Sequence, residues 1–318
     1  MNVGNFLKKE RKIMLDKLLT SGKINPIGLG TNAVGNYNYN PIGDERSRGM
    51  IYEALHLGIN FFDTAYFYGM GHSEEIIGEV LKRENKRNEV LIATKAAHVR
   101  EGRELVINND PYFLENEVYK ALKRLETDYI DIFYIHFPDE KTRKEEAVGA
   151  LVRLREKGII RKIGLSNFSV EQIKEANKNG GVDVVQDAYN LLDRSKEEEM
   201  IPYLKENDIA FISYYPLGSG LLTGKYTKDT PIPERRKNNP QFTTNYLHNL
   251  KKIELLQKMA KEKNCEVSQL VLAWYLKNDR VEAVIPGAKN KEQIIMNQKA
   301  LEVNITASEY VEIDEHFK

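Results

Sequence analysis

One cysteine, Cys265, stands among 318 residues, with one tryptophan, Trp274. A lone cysteine excludes an intramolecular disulfide and any cysteine-rich metal site, and it fits a reducing compartment. Net charge is also missing, because 47 Lys and Arg offset 47 Asp and Glu. A nucleic-acid or other polyanion binder needs a basic footprint, so that function class is set aside. No run of about 18 uncharged apolar residues occurs, which speaks against a helical membrane span. Met1–Thr20 carries Lys8, Lys9, Arg11 and Lys12, and its longest apolar run is three residues. A secretory signal would need about 7–15. No pair of histidines has metal-ligand spacing and no Gly-Lys-Ser/Thr phosphate loop occurs, so metal chemistry is not expected. No Gly/Ser linker or low-complexity tract divides the chain, which reads as a single domain over 1–318. The expectation is a cytoplasmic protein with neither a membrane nor a nucleic acid as partner. Nothing in the sequence signals an oligomeric state.

What is present is a recurring unit: a short apolar run followed by an amphipathic segment. The runs are Pro26–Gly30, Ile59–Asp63, Val90–Lys95, Ile130–His136, Ile160–Ser166, Val182–Gln186, Ile209–Tyr214 and Ala283–Pro286. They are nearly all apolar rather than alternating, as parallel strands covered on both faces should be. Between them, Glu45–Leu57, Ser73–Lys82, Phe113–Leu125, Glu145–Lys157, Ser169–Ala176 and Val267–Lys277 place apolar residues at helical spacing. Eight strands alternating with helices predict a closed (β/α)8 TIM barrel, with a doubly wound open sheet as the competing arrangement. Residues 12–27 are expected to form an N-terminal β-hairpin. A long loop rich in Gly and Pro, Gly218–Pro240, is expected after the seventh strand, with two helical patterns behind it; loops that long are usually functional.

Active sites of such barrels gather at the C-terminal strand ends. The second run ends at Asp63, with Tyr68 five residues on; the third ends at Lys95 and the fourth at His136. A phenol is too weak an acid for rapid proton donation at neutral pH, and a neighbouring ammonium favours its ionised form. A carboxylate keeps that ammonium charged and oriented, and an imidazole can donate to the same carbonyl oxygen. Together the four form a proton donor with an electrostatic clamp for a developing alkoxide. Singly, each has a bland reading: Asp63 as a turn former, Tyr68 as a packed aromatic with Tyr66 and Phe67 as rivals, and His136 as a core residue. Ser166-Asn167 and Gln186 add hydroxyl and amide groups at neighbouring rim positions, although Ser166-Asn167 could equally cap the following helix. The glycines of Tyr215-Pro216-Leu217-Gly218-Ser219-Gly220 let backbone N–H groups approach a pyrophosphate, and Lys225 adds a cation. Gly28-x-Gly30-x-x-Ala33 matches a relaxed dinucleotide fingerprint. That motif needs a helix immediately after the turn, and Gly35–Gly43 is turn-rich instead, so it is read as a decoy.

The run Phe62-Asp63-Thr64-Ala65-Tyr66-Phe67-Tyr68-Gly69, with Gly71-His72-Ser73-Glu74, resembles the signature of the aldo-keto reductase superfamily. So do Ile92-Ala93-Thr94-Lys95, Tyr134-Ile135-His136 and Gly164-Leu165-Ser166-Asn167-Phe168. Gly28–Ala33 and His136–Glu140 look most like the Gram-positive inositol-operon and general-stress branch. The resemblance implies a (β/α)8 barrel that reduces aldehydes and ketones with NAD(P)H. It makes Tyr68 the proton donor, tuned by Lys95 and Asp63, with His136 orienting the carbonyl. It assigns Ser166, Asn167 and Gln186 to the nicotinamide carboxamide and Tyr214 to the ring face. Thr31, Asn32, Asp63 and Tyr215, Pro216, Leu217, Gly218 and Ser219 join the cofactor contacts. Lys225 and Arg235, with Arg236 as a possible substitute, belong to the pyrophosphate loop. Gly287, Lys289, Gln293 and Asn297 belong to the adenosine half, and a lysine at 289 implies NADPH through its 2′-phosphate. Met296 stands where the family often has Glu. A small carbonyl compound is the implied substrate, with Tyr37, Tyr66 and the loop Ala96–Pro111 expected around it, and Trp274 in the core. Two other functions fit the same residues: an NADP(H)-binding redox sensor with little turnover, and a Schiff-base aldolase using Lys95.

Overall fold

Each of the eight apolar runs overlaps a strand, and helices lie between them. The computed structural model describes Leu15 and residues 22–35, 42–102 and 104–318. Among these, β1 (Leu29–Gly30) leads through α1 (Asp44–His56) to β2 (Phe61–Asp63), then α2 (His72–Arg83) and β3 (Leu91–Ala96). A short antiparallel hairpin, β4 (His98–Glu101) and β5 (Glu104–Ile107), stands beyond β3 and precedes α3 (Pro111–Arg124). The alternation resumes with β6 (Ile130–Ile135), α4 (Lys144–Glu156), β7 (Ile160–Ser166), α5 (Val170–Ala176), β8 (Val184–Ala188), α6 (Met200–Glu206) and β9 (Ala210–Tyr214). After α7 (Tyr246–Glu262) and α8 (Val267–Lys277) come β10 (Ala283–Val284), α9 (Lys291–Gln298) and α10 (Ala307–His316).

The strands pair in parallel in the order β1-β2-β3-β6-β7-β8-β9-β10. Parallel bridges from Ile27 to Val284 and from Gly30 to Gly287 join the first strand to the last, so the sheet closes. The open-sheet alternative is thereby excluded. Of the expected hairpin over residues 12–27, all but Leu15 and 22–27 lies outside the described residues, and Ile27 pairs with the last barrel strand.

Close packing of the barrel strands also accounts for the decoy glycines. A Cβ on Gly28 would lie 2.8 Å from the Phe61 ring, and one on Gly30 would lie 2.8 Å from the Ile285 carbonyl oxygen. Gly30 therefore serves close approach across the barrel seam, while Gly28 leaves room for the Phe61 ring of the neighbouring strand.

Two apolar clusters follow from the architecture. One is the shell between sheet and helices; the other fills the barrel and includes Phe61, Leu91, Ala93, Ile132, Tyr134, Val184, Ala210, Ile212, Ala283 and Ile285. The Tyr134 ring occupies the space a side chain at residue 164 would need, because a Cβ on Gly164 would stand 2.1 Å from Tyr134 Cδ1. Gly164→Ala is expected to cost about 1–3 kcal/mol through overpacking, read as a lowered Tm. Trp274 is fully buried and stacks on Tyr310 and Tyr189, as a core residue should. The long segment after β9 holds tight 3₁₀ turns at Gly218–Thr223, Glu234–Arg236 and Pro240–Phe242 before α7 and α8. Among the described residues no helix is long and apolar enough to cross a membrane.

Candidate active site

Side chains on a strand alternate faces with a period of two. Counting by twos from the barrel interior reaches the C-terminal rim at the expected residues: Phe61 to Asp63, Leu91 and Ala93 to Lys95, and Ile132 and Tyr134 to His136. Gly164 leads likewise to Ser166, Val184 to Gln186, and Ile212 to Tyr214. Lys95 Nζ donates to Asp63 Oδ1 at 2.5 Å and to the Thr64 carbonyl at 2.8 Å. Gln186 Nε2 donates to the second Asp63 oxygen at 2.7 Å. The Lys95 nitrogen lies 5.3 Å from the centroid of the Tyr68 ring, which meets the His136 ring edge-on at 6.2 Å. The structure thus brings Asp63, Tyr68, Lys95 and His136 together.

Burial dominates the electrostatics. It raises the Asp63 pKa and lowers that of Lys95, while their mutual attraction opposes both shifts. Burial drives the Tyr68 phenol well above its ordinary value, and the Asp63 charge adds to the rise. This differs from the expectation that the ammonium would lower it. The reason is first burial, which favours the neutral phenol, and then the Asp63 charge, which offsets that of Lys95. Burial, together with Lys95 and His98, holds His136 well below the usual imidazole range, so it is a neutral hydrogen-bonding group at neutral pH.

The loop carrying Tyr68 is pinned from below. Fully buried Glu74, on α2, accepts from Thr94 Oγ1 and from Arg124 Nε, both at 2.5 Å. The Arg124 guanidinium lies 5.0 Å from the Tyr66 ring centroid. A Cβ on Gly71 would stand 2.5 Å from Arg124 Cδ. Tyr66, expected near the substrate, therefore packs against an arginine of α3. Tyr37 lies outside the described residues.

On the other side of the rim, Asn167 adopts a left-handed backbone (φ 64°). Its amide nitrogen donates to the His136 carbonyl at 2.9 Å and to Ser166 Oγ at 3.0 Å, and its oxygen accepts from the Tyr214 hydroxyl at 2.6 Å. Ser166, Asn167, Gln186 and Tyr214 thus end β7, β8 and β9 side by side. Thr31 is buried, with its hydroxyl donating to the Asp63 carbonyl at 2.9 Å. Asn32 Oδ1 lies 3.1 Å from where a Gly287 Cβ would be. Tyr215 and Ser219 also take left-handed conformations (φ 53° and 55°) in the turn that contains Pro216, Leu217 and Gly218.

Near that turn, Lys225, Arg235, Arg236 and Lys289 converge. Burial lowers the pKa of Lys225, and Arg236 and Arg235 lower it further; Lys289 is lowered by burial and then by Arg235, Arg236 and Lys225. None of the four forms an ion pair among the described residues. Arg236 is the anchored arginine: it donates to the Tyr226 hydroxyl and stacks 4.7 Å from the Phe242 ring centroid, whereas Arg235 is exposed. Gln293 Oε1 accepts from the Lys289 backbone N–H at 2.8 Å, and Asn297 is buried one turn further along α9. Met296 receives a contact from Gln269 Nε2 at 3.1 Å from its sulfur. Mutually repelling cations without carboxylate partners form a site suited to a multiply charged anion. A phosphorylated dinucleotide fits that chemistry.

Two features of this rim depend on the chain path and not on residue order alone. Arg236 was ranked behind its neighbour because adjacency alone cannot say which side chain a 3₁₀ turn holds. His98, at the start of β4, stacks on Phe67 with ring centroids 4.2 Å apart and meets His136 edge-on at 5.2 Å.

A closed parallel barrel with a Lys–Asp pair and a tyrosine at its C-terminal rim defines a class of oxidoreductase, and a family-wide match agrees: the model of the Aldo/keto reductase family covers residues 26–318. The chain belongs to this family, whose members use nicotinamide cofactors. Among curated proteins it is 36% identical to the aldo-keto reductase YhdN of Bacillus subtilis, covering 84% of this chain and 82% of that one. It is 35% identical to the NADH-specific methylglyoxal reductase of Escherichia coli, covering 88% and 90%. Among solved structures, the glycerol dehydrogenase AKR11B4 from Gluconobacter oxydans superposes with a TM-score of 0.83 at 32% identity, over 92% of this chain and 91% of that one.

Proposed function

We propose that the protein reduces aldehydes and ketones to alcohols with NADPH. The observation that carries this reading is the buried Lys95–Asp63 contact at 2.5 Å, with the Tyr68 ring against the ammonium. Bound at the rim, the nicotinamide would supply a hydride to the carbonyl carbon. Tyr68 would give its phenolic proton to the carbonyl oxygen, and it remains protonated at neutral pH because burial favours the neutral form. Neutral His136 would hold the same oxygen through one N–H. Lys95 stabilises the negative charge that develops there, fixed by Asp63 and the Thr64 carbonyl. Ser166, Asn167, Gln186 and Tyr214 would hold the nicotinamide end, and Lys225, Arg235, Arg236 and Lys289 the phosphates. Gln293 and Asn297 would flank the adenosine.

The Schiff-base alternative requires a free amine. Burial does lower the Lys95 pKa, but the group gives two hydrogen bonds and its partner Asp63 is held ready by Gln186. No feature of the rim favours a sensor over a catalyst.

The choice of NADPH over NADH rests on the unpaired cations, and one relative, the Escherichia coli protein, is named NADH-specific. Lys289→Ala is expected to weaken NADPH about tenfold or more and leave NADH nearly unchanged, since a charged hydrogen bond contributes about 1.5–3 kcal/mol. Fluorescence titration of both cofactors, followed by steady-state assays across aldehydes and ketones, tests the whole reading. Equal losses for the two cofactors would remove the 2′-phosphate role, and absence of NADPH oxidation with every carbonyl compound would remove the reductase.

A further inference from the structure

Several buried polar atoms have no hydrogen-bond partner among the described residues, and one of them, on His98, lies against the rim residue His136. His98 opens β4 three residues past Lys95, with 7% of its surface exposed. Its Nδ1 is buried without a hydrogen-bond partner among the described residues, and so is the Nδ1 of His136. Phe67 stacks on one face of the His98 ring at 4.2 Å, Phe137 meets it edge-on at 5.4 Å, and His136 meets it at 5.2 Å. A buried imidazole among aromatics whose Nδ1 has nothing to bond is disfavoured relative to an apolar side chain of similar size. Such a group in a rim next to Tyr68 and His136 points to a ligand.

A simple aldehyde presents one oxygen, which Tyr68 and His136 already serve. The second imidazole is therefore surplus unless the substrate carries a second oxygen close to the first. We infer that His98 is a specificity-determining residue that hydrogen-bonds a hydroxyl on the carbon next to the carbonyl, so that the site selects 2-hydroxyaldehydes. Burial takes the His98 pKa down to about 4, leaving a neutral ring with one donor and one acceptor, the complement of a hydroxyl. The flanking Phe67 and Phe137 rings fix its plane. The inference rests on the reductase reading, which supplies the carbonyl.

The test compares 2-hydroxypropanal with propanal, equal in carbon count, in wild type, His98→Leu and His98→Gln. In His98→Leu, kcat/KM for 2-hydroxypropanal is expected to fall about tenfold while propanal changes by less than about twofold. His98→Gln should recover part of the preference, because its amide can donate and accept. The Tm of His98→Leu should equal or exceed that of wild type, since an unpaired polar group has been removed. Equal losses for both aldehydes, an unchanged ratio, or a clear drop in Tm would each overturn the inference alone. A wild type that oxidises NADPH with neither aldehyde while binding it would overturn the reductase reading, and the inference with it.

Discussion

Tyr68→Phe is expected to lower kcat for aldehyde reduction by about 10²–10⁴-fold, the range a positioned general acid contributes, with NADPH affinity near wild type. The substitution removes one hydroxyl and keeps the ring, so the edge-on contact with His136 and the face toward Lys95 survive. The loop is held by its backbone, through Tyr66 N–H to the Lys95 carbonyl at 2.9 Å and Ser73 N–H to the Tyr68 carbonyl at 3.1 Å, neither of which involves the phenol. Loss of rate therefore reports on the proton and not on the fold. A pH profile sharpens the result. A donor must be protonated, and the Tyr68 pKa lies above its ordinary value through burial and Asp63. The wild-type kcat for reduction should then stay level from neutral pH through about 10, the ordinary phenol value, and fall only beyond it. A variant that keeps most of its activity would show the proton comes from elsewhere. A fall centred below the ordinary phenol value would show that Lys95 outweighs burial.

Much of this site was legible in the chain because barrel geometry converts sequence position into place. Asp63, Lys95, His136, Ser166, Gln186 and Tyr214 all end apolar runs, and the period of two puts them on the inward face at one rim. The same logic does not reach residues whose position depends on the path of a connection. His98 lies in the stretch expected to flank the substrate, yet only the β4–β5 hairpin turns it onto Phe67 and His136. Arg236 rather than Arg235 faces Tyr226 and Phe242 because of a single 3₁₀ turn. Tyr66 packs its ring against Arg124, fifty-eight positions on, a contact that no local pattern shows. The phenol pKa lies above its ordinary value first because Tyr68 is buried, and then because Lys95 pairs with Asp63 rather than with the phenol.

Lys95→Met separates the structural from the chemical part of that ion pair. Both side chains are about 1% exposed or fully enclosed, so removing the ammonium leaves Asp63 buried with Gln186 as its remaining side-chain donor. Breaking a buried pair at one partner costs about 3–5 kcal/mol. In wild type the folded Asp63 pKa already lies above its ordinary value, with Lys95 pulling it down. Without Lys95 it rises further. A group with a raised folded pKa contributes its stability below the unfolded pKa and loses it as pH climbs through the folded one. The Tm deficit of Lys95→Met should therefore be smallest in acid, where Asp63 is protonated in both proteins. It should widen only once pH climbs past the wild-type folded pKa of Asp63, itself above the ordinary carboxylate value. The double variant Asp63→Asn/Lys95→Met removes the stranded charge while leaving an amide oxygen for Gln186. It should regain most of the lost Tm at neutral pH, yet both variants should reduce aldehydes at least about 10²-fold more slowly than wild type, since neither stabilises the developing alkoxide. Thermal unfolding across pH, set beside steady-state rates for the same three proteins, distinguishes the two roles. A double variant no more stable than Lys95→Met would mean that the lysine holds the rim by packing, and the electrostatic account of Tyr68 would lose its foundation.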